Sequence, residues 1–274
     1  MKHNFILKTL LLYLTVISIS LAGCKNEDPV SPPNDTIPEI PGWTLVWNDE
    51  FNGETIDASK WSHEVNGDGG GNNELQYYTD FAENSYLENG SLIIQALKKN
   101  YLGKEYTSAR MRTLHKGDWT YGRFDIRAKL PYGKGLWPAI WMLPTDWVYG
   151  GWPTSGEIDI MELLGHEPNK IYGTIHYGPA WPNNQHSGGS YTLPSSTFAH
   201  DYHLFTVEWD STGMRWFVDG YKYHTETHGQ PFDKRFHLLL NVAVGGNWPG
   251  SPDFSTMFPQ KMYVDYVRVY KKAE

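Results

Sequence analysis

The sequence predicts an all-β protein, a two-sheet antiparallel β-sandwich of the jelly-roll type with a concave cleft. Three observations support this. Short runs with alternating apolar side chains recur along the chain, turn sequences separate them, and no stretch after the N-terminal segment keeps a helical apolar period free of Gly and Pro. Alternation with period two places one face of each strand in a core and leaves the other in solvent, which is the arrangement of a sandwich.

The expected strands follow the alternating runs in chain order. They comprise residues 91–97, 122–130, 171–176, 203–209, 214–218, 237–242 and 262–270. Turn sequences rich in Gly, Asn and Pro stand between them. The clearest hairpin turns at Asp219-Gly220, a pair that favours the tight two-residue connection between antiparallel strands. The sequence contains no internal repeat.

The N-terminal residues 1–23 have the pattern of a lipoprotein signal peptide. Lys2 and Lys8 precede an apolar run, residues 10–21, that is too short to span a bilayer. The run leads to Leu-Ala-Gly-Cys24, which resembles the bacterial lipobox, and Cys24 is the only cysteine of the chain. We expect lipid on Cys24 and an exported protein anchored to a bacterial membrane, preferably the outer one, facing the periplasm or the exterior. The alternative is a signal peptide that is cleaved elsewhere.

Residues 24–41 are expected to form an extended tether, because prolines among polar residues bury little apolar area. Residues 42–272 then form one domain, since no second linker interrupts them. The net charge of −8 argues against nucleic acid as a partner, because such binding depends on neutralising phosphates. We expect a monomer. Many of the 12 Trp residues stand beside Gly and Pro in loops, where stacking on sugar rings is a natural use.

The segment 151–162, Gly-Trp-Pro-Thr-Ser-Gly-Glu-Ile-Asp-Ile-Met-Glu, carries the expected chemistry. Strand alternation places Glu157 and Asp159 on one face and the two isoleucines on the other. Glu162 then falls on the core face, where an unpaired carboxylate is very unfavourable. One extra residue near Met161, a β-bulge, returns Glu162 to the face of the other two acids. We therefore predict a bulge near Met161 and three carboxyl groups in one row.

A row of three carboxyl groups suits glycoside hydrolysis through a covalent intermediate. One carboxylate attacks the anomeric carbon, and a second carboxylic acid protonates the departing oxygen. Asp159 between them can hydrogen-bond the nucleophile and help to keep the acid protonated. A solvated edge or a cation site is the alternative explanation. The interleaved apolar residues and the Trp-rich segments on both sides favour the catalytic one.

The motif Glu-Ile-Asp-Ile-Met-Glu with Gly156 before it resembles the signature of glycoside hydrolase family 16, in the bulged form of laminarinases and related β-glucanases. The resemblance implies a retaining, endo-acting enzyme with Glu157 as nucleophile, Asp159 as its helper and Glu162 as acid/base. Catalysis would need no cofactor, and the polysaccharide substrate would be β-1,3-glucan or mixed-linkage β-1,3/1,4-glucan. Agarases and porphyranases share the bulged signature, so an algal galactan remains an alternative. A surface glycan-binding lipoprotein without activity is another, although it predicts the loss of a catalytic carboxylate.

The resemblance extends over most of the domain and implies further substrate-binding residues. These are Asn73, Arg110, Trp137, Trp141, Trp152, His176 and Trp248. Strand parity places Trp137 and Trp141 on one face, which is either cleft or core. Trp152 is the best candidate for a stacking platform, because its loop offers no core to fill. A lone histidine is usually structural, and the resemblance alone assigns His176 to the sugar beyond the scissile bond.

A structural calcium far from the cleft is the last expectation that the resemblance carries. Its ligands would be Glu50, the Gly90 carbonyl and Asp265, and such hard oxygen ligands suit calcium. Alternatively, Glu50 and Asp265 are ordinary charges at strand edges.

Overall fold

The computed structural model describes residues 37–274, so the signal peptide, Cys24 and most of the tether lie outside the described residues. Glu39–Glu274 form one compact unit. None of the described residues forms a helix that is long and apolar enough to cross a membrane. The described chain folds as a series of strands. In chain order these are β1 (Trp43–Asp49), β2 (Ser62–His63), β3 (Gln76–Tyr78), β4 (Ser85–Glu88), β5 (Ser91–Ala96), β6 (Tyr106–Ser108), β7 (Arg110–Arg112), β8 (Asp118–Trp119), β9 (Gly122–Lys129), β10 (Leu136–Pro144), β11 (Glu157–Leu163), β12 (Lys170–Tyr177), β13 (Gln185–Thr192), β14 (His203–Asp210), β15 (Gly213–Val218), β16 (Tyr221–Glu226), β17 (Phe236–Val244) and β18 (Gln260–Lys272).

Two antiparallel sheets form the predicted sandwich. Sheet A has the strand order β16-β15-β14-β9-β18-β5-β4, and β1 pairs with β18. Sheet B has the order β13-β12-β11-β10-β17-β7-β2, and β8 pairs with β17. A short parallel pair, β3 with β6, stands beside them. The fold class that the alternating runs predict is confirmed.

The core lies between the two sheets and follows the alternation of each strand. In β9, Phe124, Ile126 and Ala128 are fully buried, whereas the residues between them face outward. Sheet A also contributes Trp209 and Trp216 to this core. Burying one large apolar side chain stabilises the fold by roughly 1.5–3 kcal/mol, so this layer of aromatic and branched residues supplies most of the driving force.

The expected strands agree with the observed ones to within a few residues at each end. The hairpin also forms as predicted, because Val218 pairs with Tyr221 across the two turn residues. Asp219 and Gly220 have φ values of 49° and 81°, the left-handed conformation that a tight hairpin turn requires at both positions. The order of the strands in each sheet could not be read from the sequence, because neighbours such as β10 and β17 are far apart in the chain.

Candidate active site

The predicted bulge is present in β11. Pairing with β12 steps from Asp159 directly to Glu162, so that Ile160 and Met161 lie opposite Gly173 alone. The register with β10 shifts at the same place. Ile160 and Met161 are 1% and 0% exposed and both belong to the core. Two consecutive inward side chains restore Glu162 to the face that carries the other acids, as the parity argument requires.

A cleft of about 830 Å³ crosses the outer face of sheet B and holds all three carboxyl groups. Its lining extends from Arg110 in β7 to His186 and Ser190 in β13, with β11 between these ends. Aromatic side chains contribute much of the surface, and they are Tyr78, Trp137, Trp141, Trp147, Trp152, Tyr172 and Trp248. A trough that passes over successive strands can hold several units of a linear chain.

Glu157 begins β11 and faces the cleft. Trp152 donates its indole N–H to Glu157 Oε2 at 2.8 Å, and His176 Nε2 lies 3.8 Å from Oε1. Burial and, to a smaller extent, the negative charge of Asp159 raise the pKa of Glu157 to about 8, although His176, Trp152 and Arg110 oppose the rise. These three groups stabilise the ionised form of Glu157, which is the form that a nucleophile needs.

Asp159 is the middle acid and is only 2% exposed. Its Oδ2 lies 3.3 Å from His176 Nε2 and has no hydrogen bond of good geometry. Burial raises the pKa of Asp159 to about 8. A carboxyl group with a pKa near neutral pH can gain or lose a proton there. The charge of Asp159 therefore depends on the protonation of the neighbouring acids.

Glu162 lies beyond the bulge and is 8% exposed. Trp137 donates its indole N–H to Glu162 Oε1 at 3.0 Å. Burial raises the pKa of Glu162 well above its usual value, and the charges of Asp159 and Glu157 add to this effect. Glu162 is therefore held protonated, which is the state that a general acid requires.

The aromatic side chains next to the acids settle which face of β10 is the cleft. Trp137 and Trp141 both line it, and Trp141 donates its indole N–H to Asn241 Oδ1 at 2.7 Å. The Arg110 guanidinium lies 4.6 Å from the centroid of the Trp141 ring. Trp248 meets the edge of Trp137 at 5.5 Å. Rings held by such contacts keep a fixed surface for a sugar to pack against.

Trp152 and Trp248 are the more accessible rings of the cleft. Each is 41% exposed, although each also touches a neighbour. The Trp152 ring lies 6.1 Å from that of His176, and the Trp248 ring lies 5.0 Å from that of Tyr172. The substrate-binding residues expected at Arg110, Trp137, Trp141, Trp152, His176 and Trp248 therefore meet in one cleft.

Asn73 differs from the other expected binding residues. Its exposed side chain donates to Asn247 Oδ1 at 2.9 Å and does not line the cleft, whereas its neighbours Asn72 and Glu74 do. Asn73 has a φ of 58°, so the chain turns sharply at this point and presents the adjacent residues instead. A direct contact between Asn73 and substrate stays a prediction.

A buried polar network near Arg110 was not expected from the sequence. Gln76 donates to Glu74 Oε2 at 2.6 Å, and the Tyr78 hydroxyl donates to the same oxygen at 3.2 Å. Asn241 donates to the Tyr78 oxygen at 3.1 Å and thereby connects the network to Trp141. Polar residues at alternate positions 74, 76 and 78 were the available signal, because they share one face of an extended segment.

The two carboxylates expected to bind calcium are both paired with arginines. Arg268 donates to Glu50 at 3.0 and 2.7 Å, and Arg127 donates to Asp265 at 2.6 Å. Within residues 37–274, the cluster of His, Cys, Asp and Glu that is tight enough to share an ion is instead Glu157, Asp159 and His176. The arginines do not fit a cation at Glu50 and Asp265, and calcium stays a prediction.

Comparisons with known proteins agree with this geometry. A model of glycosyl hydrolases family 16 matches residues 72–268. The chain is 44% identical to glucan endo-1,3-beta-glucosidase A1 of Niallia circulans, over 90% of this chain and 41% of that protein's length. It is 42% identical to the beta-glucanase of Rhodothermus marinus, over 97% of this chain and 95% of that protein. The solved laminarinase of Rhodothermus marinus is 44% identical, with a TM-score of 0.80, over 86% of this chain and all of that one.

Proposed function

The chain belongs to glycosyl hydrolases family 16, and from this premise we propose that it is a retaining endo-β-glucanase that cleaves β-1,3-glucan and mixed-linkage β-1,3/1,4-glucan. The row of Glu157, Asp159 and Glu162 in a tryptophan-lined cleft carries the proposal, because it supplies a nucleophile and an acid on one surface. The names of the two aligned relatives, a glucan endo-1,3-beta-glucosidase and a beta-glucanase, support glucan as the substrate.

In the first step, Glu157 attacks the anomeric carbon while the bond from that carbon to the departing oxygen breaks. Glu162 gives its proton to this oxygen, so the leaving chain departs as a neutral alcohol. Trp152 holds Oε2 of Glu157 through its N–H, which leaves Oε1 for the attack. The sugar is then bound to Glu157 as an ester.

In the second step, Glu162 acts as a base. The charge of Glu157 contributes to the high pKa of Glu162, and esterification removes that charge, so the pKa of Glu162 falls. The Glu162 carboxylate takes a proton from water, the oxygen of this water bonds to the anomeric carbon, and Glu157 leaves as a carboxylate. Two displacements at one carbon restore the original configuration.

Cutting inside a chain follows from the position of the acids in the cleft. Lining residues stand on both sides of β11, from Arg110 on β7 to His186 and Ser190 on β13. A glucan that crosses the sheet therefore has sugars bound on each side of the scissile bond. The alternative of a glycan-binding protein without activity is disfavoured, because both Glu157 and Glu162 are present and aimed into the cleft.

Product analysis tests the proposal. Laminarin, barley mixed-linkage glucan and agarose are incubated with the full chain, and the released oligosaccharides are measured by reducing-end assay and chromatography. We expect a mixture of short oligosaccharides from the two glucans and none from agarose. Proton NMR should show the β-anomer first. Release from agarose alone, binding without cleavage, or a first α-anomer would contradict the proposed function.

We further propose that the enzyme is exported and anchored through lipid at Cys24, on the support of the N-terminal sequence pattern. Labelled palmitate should enter the wild-type protein expressed in a Gram-negative host, and the variant Cys24→Ser should remain unlabelled. Labelling of Cys24→Ser, or none of the wild type, would contradict the anchor. The calcium ion that the sequence predicts at Glu50, Gly90 and Asp265 is tested by melting the protein in calcium and in EDTA. A higher melting temperature in calcium, abolished in Asp265→Asn, would support the ion, whereas equal melting temperatures would agree with the pairing of both carboxylates with arginines.

A further inference from the structure

The bulge in β11 is the structural condition for catalysis, and it needs support. A bulge interrupts the hydrogen-bond ladder locally. A slip of one residue would turn every later side chain of the strand to the opposite face. Glu162 would then point into the core in place of Met161. The cost of burying the Glu162 carboxylate in the core already disfavours the regular register, and a contact to the bulge would add to this preference.

Trp216 makes a contact at this point from the opposite sheet. It lies in β15 of sheet A, is fully buried, and donates its indole N–H to the carbonyl oxygen of Asp159 at 2.9 Å. That carbonyl immediately precedes Ile160 and Met161, the residues of the bulge. A buried carbonyl that loses its donor is destabilised by about 1–3 kcal/mol, so the bond opposes any rearrangement that turns the carbonyl away.

Gly173 creates the opening through which Trp216 reaches the strand. It lies on the core face of β12, opposite the bulge. A Cβ atom at position 173 would lie 2.6 Å from Trp216 Cδ1, 2.9 Å from Trp216 Nε1 and 2.5 Å from the Tyr223 hydroxyl. Any side chain other than hydrogen would displace the indole. The glycine, the bulge and the tryptophan therefore form one interlocking unit.

We propose that Trp216 is a positioning residue, whose indole N–H holds the Asp159 carbonyl and so fixes the bulge that aims Glu162 into the cleft. The proposal rests on the proposed function in one respect, the role of Glu162 as acid. Glu157 precedes the bulge and keeps a regular pairing with His176. Loss of the indole N–H should therefore disturb the acid and leave the nucleophile in place.

Trp209 provides a matched control. It is 1% exposed, lies in the neighbouring strand β14, and donates its indole N–H to a backbone carbonyl, that of Phe232, at 3.1 Å. The variants Trp216→Phe and Trp209→Phe each remove one N–H and keep a ring in the same core. Trp216→Phe loses the hydrogen bond to the Asp159 carbonyl in β11, whereas Trp209→Phe loses the one to the Phe232 carbonyl outside that strand.

The first test compares two substrates in both variants. Against laminarin, which has a poor leaving group, kcat/KM of Trp216→Phe should fall about tenfold or more, because the acid is misaligned. The second substrate is a 2,4-dinitrophenyl glycoside of a β-glucan oligosaccharide, whose dinitrophenolate leaves without being protonated. On this substrate, kcat/KM of Trp216→Phe should fall by no more than about threefold. Trp209→Phe should treat both substrates alike. Equal losses on the two substrates in Trp216→Phe would overturn the proposal.

A second test uses no substrate and separates this proposal from the proposed function. Hydrogen exchange of the backbone amides at residues 160–162 should be faster in Trp216→Phe than in Trp209→Phe, compared at equal global stability. This result would support the positioning of the bulge even if no β-glucan were cleaved. An equal change in both variants would overturn it, whatever the enzyme hydrolyses.

A measurement on the wild-type protein covers the case in which Trp216→Phe does not fold. The Trp216 indole N–H and the protected amides at residues 160–162 should exchange with the same free energy of opening, since they open together. If those amides, after each rate is divided by its intrinsic exchange rate, exchange more than about tenfold faster than the indole N–H, the bulge opens while Trp216 stays in place, and the proposal is wrong.

Discussion

The outer face of sheet A and the cleft face of sheet B hold buried acids in opposite ways. Asp125 on sheet A is 3% exposed, lies 2.9 Å from Arg123 and accepts a hydrogen bond from Thr206 at 2.7 Å. Asp159 on sheet B is 2% exposed and has no arginine or lysine partner of this kind among residues 37–274, and its neighbour is the His176 imidazole at 3.3 Å. Charge compensation on one face stabilises the fold, whereas on the other face it is incomplete.

The difference separates an acid that stabilises the fold from acids that can transfer a proton during catalysis. Burial without a full counter-charge raises the pKa of Glu157 and Asp159 to about 8, into the range where a proton can be exchanged near neutral pH. A paired acid such as Asp125 is fixed by its arginine and its threonine. The same residue type is thus structural in one sheet and reactive in the other, and pairing rather than burial distinguishes the two.

The largest expected effect comes from removing the nucleophile. Glu157→Ala should lower kcat on laminarin by at least about 10⁴-fold, since the variant lacks the carboxylate that attacks the anomeric carbon. Sodium azide should restore turnover and give an α-linked glycosyl azide, detected by NMR. A β-linked azide, or activity within about tenfold of wild type, would contradict the assignment.

The matched change on sheet A is Asp125→Asn. It removes one of the two carboxylates that pair with Arg123, the other being Glu208, and should destabilise the fold by about 1–3 kcal/mol while kcat stays within about twofold of wild type. Urea unfolding measures the first quantity and the laminarin assay the second. A large loss of kcat in Asp125→Asn would erase the proposed distinction between the two faces.

The next largest effect concerns the acid. Glu162→Gln should lower kcat/KM on laminarin by about 10²–10⁴-fold, because the leaving oxygen departs unprotonated. Substrates with a 2,4-dinitrophenyl leaving group should lose far less, because that group needs no proton. The slope of log kcat/KM against leaving-group pKa should become steeper than in wild type. An unchanged slope would show that Glu162 is not the acid.

The parity of one motif allowed the three acids and the bulge to be predicted, because strand alternation is a local rule. Glu162 breaks the alternation that Glu157 and Asp159 establish, and only an extra residue repairs it. The hydrogen bond from Trp216 to Asp159 could not be predicted in the same way, because it joins residues 57 positions apart through the packing of two sheets. Loop geometry at Asn73 and the arginine that pairs with Glu50 likewise depend on the folded arrangement.

A smaller effect is expected at the middle acid. The negative charge of Asp159 raises the pKa of both Glu157 and Glu162. Asp159→Asn removes that charge, so both pKa values should fall and both limbs of the pH profile of kcat/KM should move to lower pH. We expect a loss of about 10–100-fold in kcat at the optimum, below the roughly 10²–10⁴-fold typical of a general acid or base, because Asp159 acts through its neighbours and not on the substrate itself. A profile that moves to higher pH, or a loss larger than that of Glu157→Ala, would contradict the helper role.

The smallest effect is on stability, and its sign separates the two faces. The folded pKa of Glu157 is raised from 4.5 to about 8, so its contribution to stability is full below pH 4.5 and is lost as the pH rises toward 8. Glu157→Gln does not titrate and should gain stability over wild type between pH 5 and pH 8, by on the order of 2 kcal/mol. Urea unfolding at both pH values measures the gain. Asp125→Asn should be less stable than wild type at both pH values, because the carboxylate that pairs with Arg123 is lost. A Glu157→Gln variant that is likewise destabilised would show that the charges of the cleft acids are compensated.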